Sequence, residues 1–269
     1  MPLPPLEHIV YGPIRSRRLG ASLGINLLPG GMKVCNMNCA YCQYGWTRGA
    51  LRYRGQGRGW PAPDDVEAAV SSRLSRAAEN DELIDRITVA GHGEPTLHPQ
   101  FEEIISRLRA VRDAIAPGIP IAVLSNSTTA SWPDVQRALA KFDERYMKLD
   151  AGDAITYARI NGPGPSIEDI VDALRVLPGI VIQSMFVADD AEQIDNSTPG
   201  AVSEWVDALE RVKAARVHVY TLDRAPALET LRAVSGRRLR EIAEHVRAAG
   251  IPCDVFAPRA SGRRRREVA

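Results

Sequence analysis

The sequence predicts an α/β fold in which parallel strands, each followed by an outer helix, curl into a full or partial barrel. Two observations carry this. Short apolar runs alternate with helix-period segments about six times along the chain, the pattern of βαβ units. A polar cluster then follows the C-terminal end of each predicted strand: Cys35–Cys42, Gly91–Thr96, Ser125–Thr128, Lys148–Asp153, Gln183–Ser184 and Thr221–Arg224. In a barrel these ends converge on one mouth, where active sites are built. A flat doubly wound sheet would use a single crevice instead.

The first strand is expected at Ser22–Leu28 or at Met32–Val34. The next strands are Arg86–Ala90, Ile121–Leu124, Arg145–Leu149, Ile180–Phe186 and Arg216–Leu222, with a last short run at Cys253–Phe256. Their near-continuous Ile, Val and Leu content is that of parallel strands covered on both faces. Asp64–Glu79 is a helix with Val66, Val70 and Leu74 on one stripe. Pro99–Ile115 places Phe101, Ile104, Ile105, Leu108, Val111 and Ile115 on another. A shorter helix is expected at Pro133–Lys141. Ser166–Val176 opens with a Ser166-x-x-Asp169 capping pattern. Ala201–Ala214 follows, and Ser235–Ala249 stops at Gly250.

No Pro/Ser-rich linker or internal repeat divides the chain, so residues 1–258 are expected to form one domain. Residues 1–30 would supply an N-terminal extension and the first strand. Residues 259–269, with Arg263–Arg266 in a row, lack an apolar pattern and are expected to be a disordered basic tail.

Of 269 residues, 45% are apolar and 25% charged, with a net charge of +1. This is the composition of a soluble globular protein with a sizeable core. The balance supplies no basic face for nucleic acid, and no apolar run is long enough to cross a bilayer. The start, Met1-Pro-Leu-Pro-Pro, lacks the pattern of a secretion signal, so a cytoplasmic location is expected. Three of four cysteines fall within eight residues. Without a secretion signal, such clustering favours metal over disulfides.

The segment Val34-Cys-Asn-Met-Asn-Cys-Ala-Tyr-Cys-Gln43 spaces Cys35, Cys39 and Cys42 by three and then two residues. Soft thiolates favour iron–sulfur or zinc. A zinc site usually pairs two CxxC knuckles, and here the fourth cysteine, Cys253, is far away in a short apolar run. A four-iron cube held by three thiolates keeps one iron open to another ligand.

With this loop the chain resembles the radical S-adenosylmethionine (SAM) superfamily, whose signature is CxxxCxxC with an aromatic residue, here Tyr41, before the last cysteine. The likeness continues through Tyr11–Gly20, Ser22–Pro29, Gly91-His-Gly-Glu-Pro-Thr-Leu97, Leu124–Ser127, Lys148–Ala151 with Arg159–Asn161, and Gln183–Val187. These segments are similar to Fe–S oxidoreductases grouped with wyosine-base (tRNA) synthases.

The resemblance implies a partial (β/α)6 TIM-like barrel with a [4Fe–4S] cluster on Cys35, Cys39 and Cys42. It implies SAM as second cofactor and a reductant such as flavodoxin or ferredoxin. It places Tyr41 near adenine, and Gly93, Glu94 and Pro95 at the SAM amino group. Ser125 and Asn126 fall where ribose or carboxylate contacts lie, although a helix cap would also explain them. Lys148 and Asp150 follow. Lys148, one of only four lysines, would pair with the SAM carboxylate, or else form a structural pair with Asp150 or Glu144. Met185 lies where backbone groups meet adenine.

Substrate-side candidates are Arg17, Arg18, His92, Tyr220 and Arg224. Arg15, Arg17 and Arg18 precede the first strand and could hold an anionic substrate or form a solvated basic loop. The expected function is hydrogen abstraction from a small-molecule or peptide substrate by a SAM-derived radical. Alternatives are a tRNA-modifying enzyme of wyosine type, a glycyl-radical-enzyme activase, and a non-enzymatic zinc protein. Wyosine-type relatives carry further cysteines for a second cluster, and no cysteine precedes Cys35 here.

Overall fold

The computed structural model describes residues 2–47, 54–55, 57–189, 191 and 193–257. The basic run at 259–269 lies outside the described residues.

Eight strands form one sheet in the order β1-β2-β3-β4-β5-β6-β9-β11. They are β1 Val10–Ser16, β2 Gly20–Ile25, β3 Arg86–Val89, β4 Ile121–Ser125, β5 Glu144–Lys148, β6 Val181–Met185, β9 Arg216–Tyr220 and β11 Cys253–Phe256. From β2 onward every pairing is parallel. The sheet curls into a half-barrel with helices on its convex side, the partial barrel expected. The helices are α1 Pro63–Glu79, α2 Phe101–Ile115, α3 Pro133–Leu139, α4 Ala154–Asn161, α5 Ile167–Arg175, α6 Pro199–Val212 and α7 Gly236–Ala248. Among the described residues no helix is long and apolar enough to cross a membrane.

One strand face builds the core. Ile87, Val89, Ile121, Val123, Met147, Ile182, Val217 and Val219 are wholly buried against the helices. The alternate positions face the concave side and are mostly polar, with Ala122, Leu124 and Val181 as a small apolar cluster among them. Arg86 on β3 bonds Glu144 on β5 across β4 (2.6 Å). Lys148 on β5 reaches Tyr220 on β9 across β6 (2.8 Å). Long side chains can span the roughly 9.6 Å between strands two apart, and curvature toward the concave side brings them closer. The expectation of apolar cover on both faces holds for the helix-facing side, and on the concave side only around Ala122, Leu124 and Val181.

Other local expectations change too. The first strand is β1, within the segment expected to be an N-terminal extension; Gly12 and Pro13 interrupt it, and the register shifts between Tyr11 and Ile14. Arg15 therefore lies in β1, and Arg17 and Arg18 in the tip of the β1–β2 hairpin. That tip crosses to the far edge of the sheet: Arg17 donates to the Ala257 carbonyl (2.5 Å) and pairs with Asp223 (3.3 Å). Of Met32–Val34, only an isolated bridge from Val34 to Gly93 forms. Helix α4 has too short an apolar stripe to be read by period. A small sheet, β10 (Arg232–Ala233), β7 (Val187–Asp189) and β8 (Ile194–Asp195), was also not foreseen. Ile194, Val187 and Leu231 from this sheet and its flank pack on Ala40 of the cysteine loop.

Two buried histidines give a stability signature. His98 accepts the Gln100 N–H on Nδ1 (3.0 Å), and its Nε2 lies 3.0 Å from the Pro61 carbonyl. Burial pushes its pKa down to about 4, and burial does the same to His218. Between about 4 and 6.5 the unfolded chain binds protons that the folded chain does not. Stability is therefore full above pH 6.5 and is lost as pH falls toward 4. Urea midpoints should drop from pH 7.5 to pH 5, and less steeply in His98→Gln. An identical slope in the variant would remove His98 from this account.

Candidate functional site

The cysteine loop lies beyond β2 and is anchored at both ends. The Glu94 N–H donates to the Val34 carbonyl (2.9 Å). A Cβ on Gly93 would lie 1.7 Å from that same oxygen, so only glycine fits this crossing. On the other side, Asn38 and Ala40 donate their N–H groups to the carbonyls of Asn161 (3.0 Å) and Ile160 (2.8 Å) at the end of α4. Helix α4 exists because Asp153 caps it through the Thr156 N–H (2.8 Å), and it stops at Gly162 with φ 74°.

Cys35, Cys39 and Cys42 are free thiols. Two carboxamides are aimed at their sulfurs. Asn161 Nδ2 donates to Cys39 Sγ (3.3 Å), and Asn126 Nδ2 lies 3.6 Å from Cys35 Sγ. Burial pushes the Cys35 thiol up to about 12 and the Cys39 thiol up to about 11, the latter opposed by Asn161. Buried thiols with such values lose their protons when a cation takes their place. Asn161 Oδ1 is buried without a partner. Among the described residues, no three His, Cys, Asp or Glu side chains group tightly enough to hold one metal ion. A single zinc needs its sulfurs about 2.3 Å from one point, whereas the thiolates of a four-iron cube bind separate irons. Three thiols, two of them facing carboxamide donors, are the donor chemistry of a thiolate-bound metal group.

Glu94 is buried (1% exposed) and accepts four hydrogen bonds. Thr96 N–H (3.2 Å), Thr96 Oγ1 (2.6 Å) and Ser125 Oγ (3.0 Å) donate to Oε1, and the Asn126 N–H (2.6 Å) donates to Oε2. Burial raises its pKa, and these donors oppose the rise. Pro95 opens the short 3-10 turn that Glu94 caps. Ser125 and Asn126 do not cap a helix. Asn126 Oδ1 accepts from Thr128 N–H (3.0 Å) and Oγ1 (2.7 Å), and Ser125 Oγ accepts from Ser127 N–H (3.1 Å). Ser127 is thereby held at φ 73°, a conformation a serine adopts only when its surroundings fix it.

Asp150 is the second hub, 2% exposed. Its Oδ2 accepts from Tyr41 Oη (2.5 Å) and Asn161 Nδ2 (2.9 Å), and its Oδ1 from Met185 N–H (2.8 Å) and Lys148 Nζ (2.8 Å). Lys148 also lies 4.9 Å from the ring centres of both Tyr41 and Tyr220. Burial disfavours its charge, but Asp150 and Tyr220 outweigh this and raise its pKa. Of the two structural pairings considered for Lys148, the one with Asp150 forms; Glu144 instead binds Arg86.

The substrate-side candidates divide. Tyr220 faces the concave side, with the Arg18 guanidinium 4.0 Å from its ring centre. Arg224 donates to Gln43 Oε1 (3.0 Å), next to the cysteine loop. Arg17 is spent on closing the hairpin tip. His92 is a correction: it is fully buried, accepts the Leu6 N–H on Nδ1 (3.0 Å), and has Nε2 2.9 Å from the Pro29 carbonyl. Both ring nitrogens are engaged by backbone. Sequence reasoning assigned no role to Asn161, Gln183 or His218. Asn161 stood within the Arg159–Asn161 resemblance; His218 carried no signal beyond its inward strand parity. A groove of about 470 Å³ between α3 and α5 is lined by Thr128, Trp132, Gln136 and Asp169 among others, and no Lys or Arg among the described residues lines it.

The model of the radical SAM superfamily matches residues 31–183, which is more than half of the chain and contains the three cysteines, Glu94, Asn126, Lys148, Asp150 and Asn161. The chain belongs to the radical SAM superfamily. Among curated relatives, a UPF0026 protein of Helicobacter pylori is 29% identical over 80% of this chain and 67% of its own length. A UPF0026 protein of Methanocaldococcus jannaschii is 34% identical over 64% of this chain and 49% of its own. The chain thus spans about half to two thirds of these relatives. A radical SAM methyltransferase from Sphaerobacter thermophilus superposes with a TM-score of 0.64 at 18% identity, over 89% of this chain and 67% of that one. TYW1 with a lysine–pyruvate adduct bound superposes at 0.59 and 17%, over 84% and 73%. SuiB of Streptococcus suis, bound to its precursor peptide SuiA, gives 0.60 and 14%, over 87% and 48%. At these identities the superpositions establish a shared fold.

Proposed function

We propose that this radical SAM protein holds one [4Fe–4S] cluster on Cys35, Cys39 and Cys42, binds SAM beside it, and abstracts hydrogen from a small-molecule or peptide substrate. Cluster and SAM together would supply a 5′-deoxyadenosyl radical on reduction. The observation that carries this reading is the pair of carboxamides, Asn126 and Asn161, aimed at two cysteine sulfurs from the two hydrogen-bonded hubs. Such outer donors orient the ligands and temper their charge.

The chain's own residues would divide the work as follows. Glu94 has its hydrogen bonds taken up by Thr96, Ser125 and Asn126, so it acts as a positioning residue. An amino group at this corner would meet backbone oxygens of Gly93–Pro95 instead. Lys148 gives two of its three N–H bonds to Asp150 and Tyr220, which leaves one for the SAM carboxylate. Asp150 fixes the Tyr41 ring and the Met185 backbone, the two elements assigned to adenine. The small sheet packed on Ala40 would limit solvent at the loop.

Anaerobic reconstitution with iron and sulfide, then dithionite and SAM, should yield 5′-deoxyadenosine even without substrate. Absence of 5′-deoxyadenosine from protein that carries a full cluster would overturn the proposal.

A further inference from the structure

The concave face holds more polar atoms than the protein satisfies. Arg18 Nη1, Gln183 Nε2 and His218 Nδ1 are each buried with no hydrogen-bond partner. Gln183 and His218 are only 4% and 5% exposed. They stand side by side in register on β6 and β9, and Lys148 on β5 is the next residue in that row. Arg18 reaches the same place from the hairpin tip, against the face of Tyr220.

The charges there do not balance. Lys148 has Asp150, Arg86 has Glu144, Arg17 has Asp223, and Arg216 has Asp254. Arg18 has no ion pair among the described residues. Water can satisfy a buried neutral donor, but it does not neutralise a guanidinium whose inner edge is out of solvent. A guanidinium also presents its N–H groups as a planar fork that matches two oxygens of one anion.

We propose that Arg18, Gln183 and His218 form a subsite for an oxyanion, a carboxylate or a phosphate, on the substrate. Arg18 and Gln183 donate to the anion. His218 has its Nε2 directed at Asp254 Oδ2 (3.5 Å). Its Nδ1 lone pair is then left to accept from a hydroxyl or amide next to the anion. The substrate is accordingly a small anionic molecule with a hydrogen-bond donor adjacent to its charge. Tyr220 contacts both cations, Lys148 at its hydroxyl and Arg18 on its ring, so this subsite adjoins the place proposed for SAM. That it serves a substrate rests on the proposed SAM reaction; that it binds an anion does not.

The test uses the reconstituted protein without SAM, titrated calorimetrically with inorganic phosphate and with acetate at constant ionic strength set by chloride. Saturable binding of one of them is expected, and the tighter of the two identifies the oxyanion. Arg18→Met should weaken it about tenfold or more, the effect of losing a hydrogen-bonded charge, and Gln183→Leu by less. In chloride alone the thermal midpoint of Arg18→Met should equal or exceed that of the native protein, because a half-buried cation with no ion pair among the described residues is gone. A structural arginine predicts the reverse: a lower midpoint and unchanged anion affinity. That result, or no binding of either anion by the native protein, overturns the proposal. Arg18-dependent binding in a protein that makes no 5′-deoxyadenosine would leave the subsite standing and remove the SAM reading instead.

Discussion

Cys39→Ala is expected to abolish the cluster. Iron in the anaerobically reconstituted protein should fall from about four per chain, the content of one cube, to well below one. The broad visible absorption should disappear, and 5′-deoxyadenosine with it. The loop contains no spare ligand. Cys35 and Cys42 would leave half of a cube's corners without thiolates. Cys253 is 5% exposed on β11 within the apolar core and has no route to the loop. Cys39 is also one of the acceptors of Asn161 Nδ2, so its loss leaves that amide donating to Asp150 and Tyr41. Asn161→Leu should keep the iron but shift the cluster's reduction potential, since hydrogen bonds to sulfur set that potential. Iron content unchanged in Cys39→Ala would reject the three-thiolate site, and zinc retained at one per chain would favour a structural metal.

Asp150→Ala is expected to cost about 3–5 kcal/mol of unfolding free energy, the range for removing one partner of a buried ion pair. Lys148 would be left charged with 17% of its side chain exposed and only Tyr220 for company. Tyr41, Asn161 and the Met185 N–H would lose their acceptor at the same time. Most of the loss should come from the stranded charge. The double variant Lys148→Met/Asp150→Leu should therefore be more stable than Asp150→Ala, while Lys148→Ala alone should weaken SAM binding with the iron intact. Urea unfolding of the three variants checks this. A double variant no more stable than Asp150→Ala would show that the hydrogen bonds, not the ion pair, dominate.

The order and type of the main elements were legible because each helix carries its own apolar stripe and each core strand its own β-branched run. Leu239, Ile242 and Val246 mark α7 wherever the rest of the chain goes. Elements without such a local signature were not legible. Strand β1 is broken by Gly12-Pro13 and is paired only through its hairpin. Helix α4 is eight residues long and is defined by its caps. The two- and three-residue strands β7, β8 and β10 are too short to carry a period of their own, and Val187 and Ile194 find their apolar partners on the cysteine loop. His92 was misplaced for a related reason: it directly follows a strand end, as site residues do, yet its ring turns back to the Leu6 and Pro29 backbone.

The sequence by itself determined the three-thiol loop, the alternation that makes a parallel half-barrel, and the strand ends at which Glu94, Asn126, Lys148 and Asp150 stand. These are properties of spacing and period, and they survive without coordinates. The tertiary structure decided what those residues hold. It gave Glu94 four internal hydrogen bonds, tied Lys148 to Asp150, aimed Asn126 and Asn161 at sulfur, and left Arg18 without a counter-charge among the described residues. Each of these facts depends on contacts between segments tens of residues apart, or on side chains reaching over an intervening strand. Curvature of the sheet creates such contacts, and no local pattern of residues encodes them.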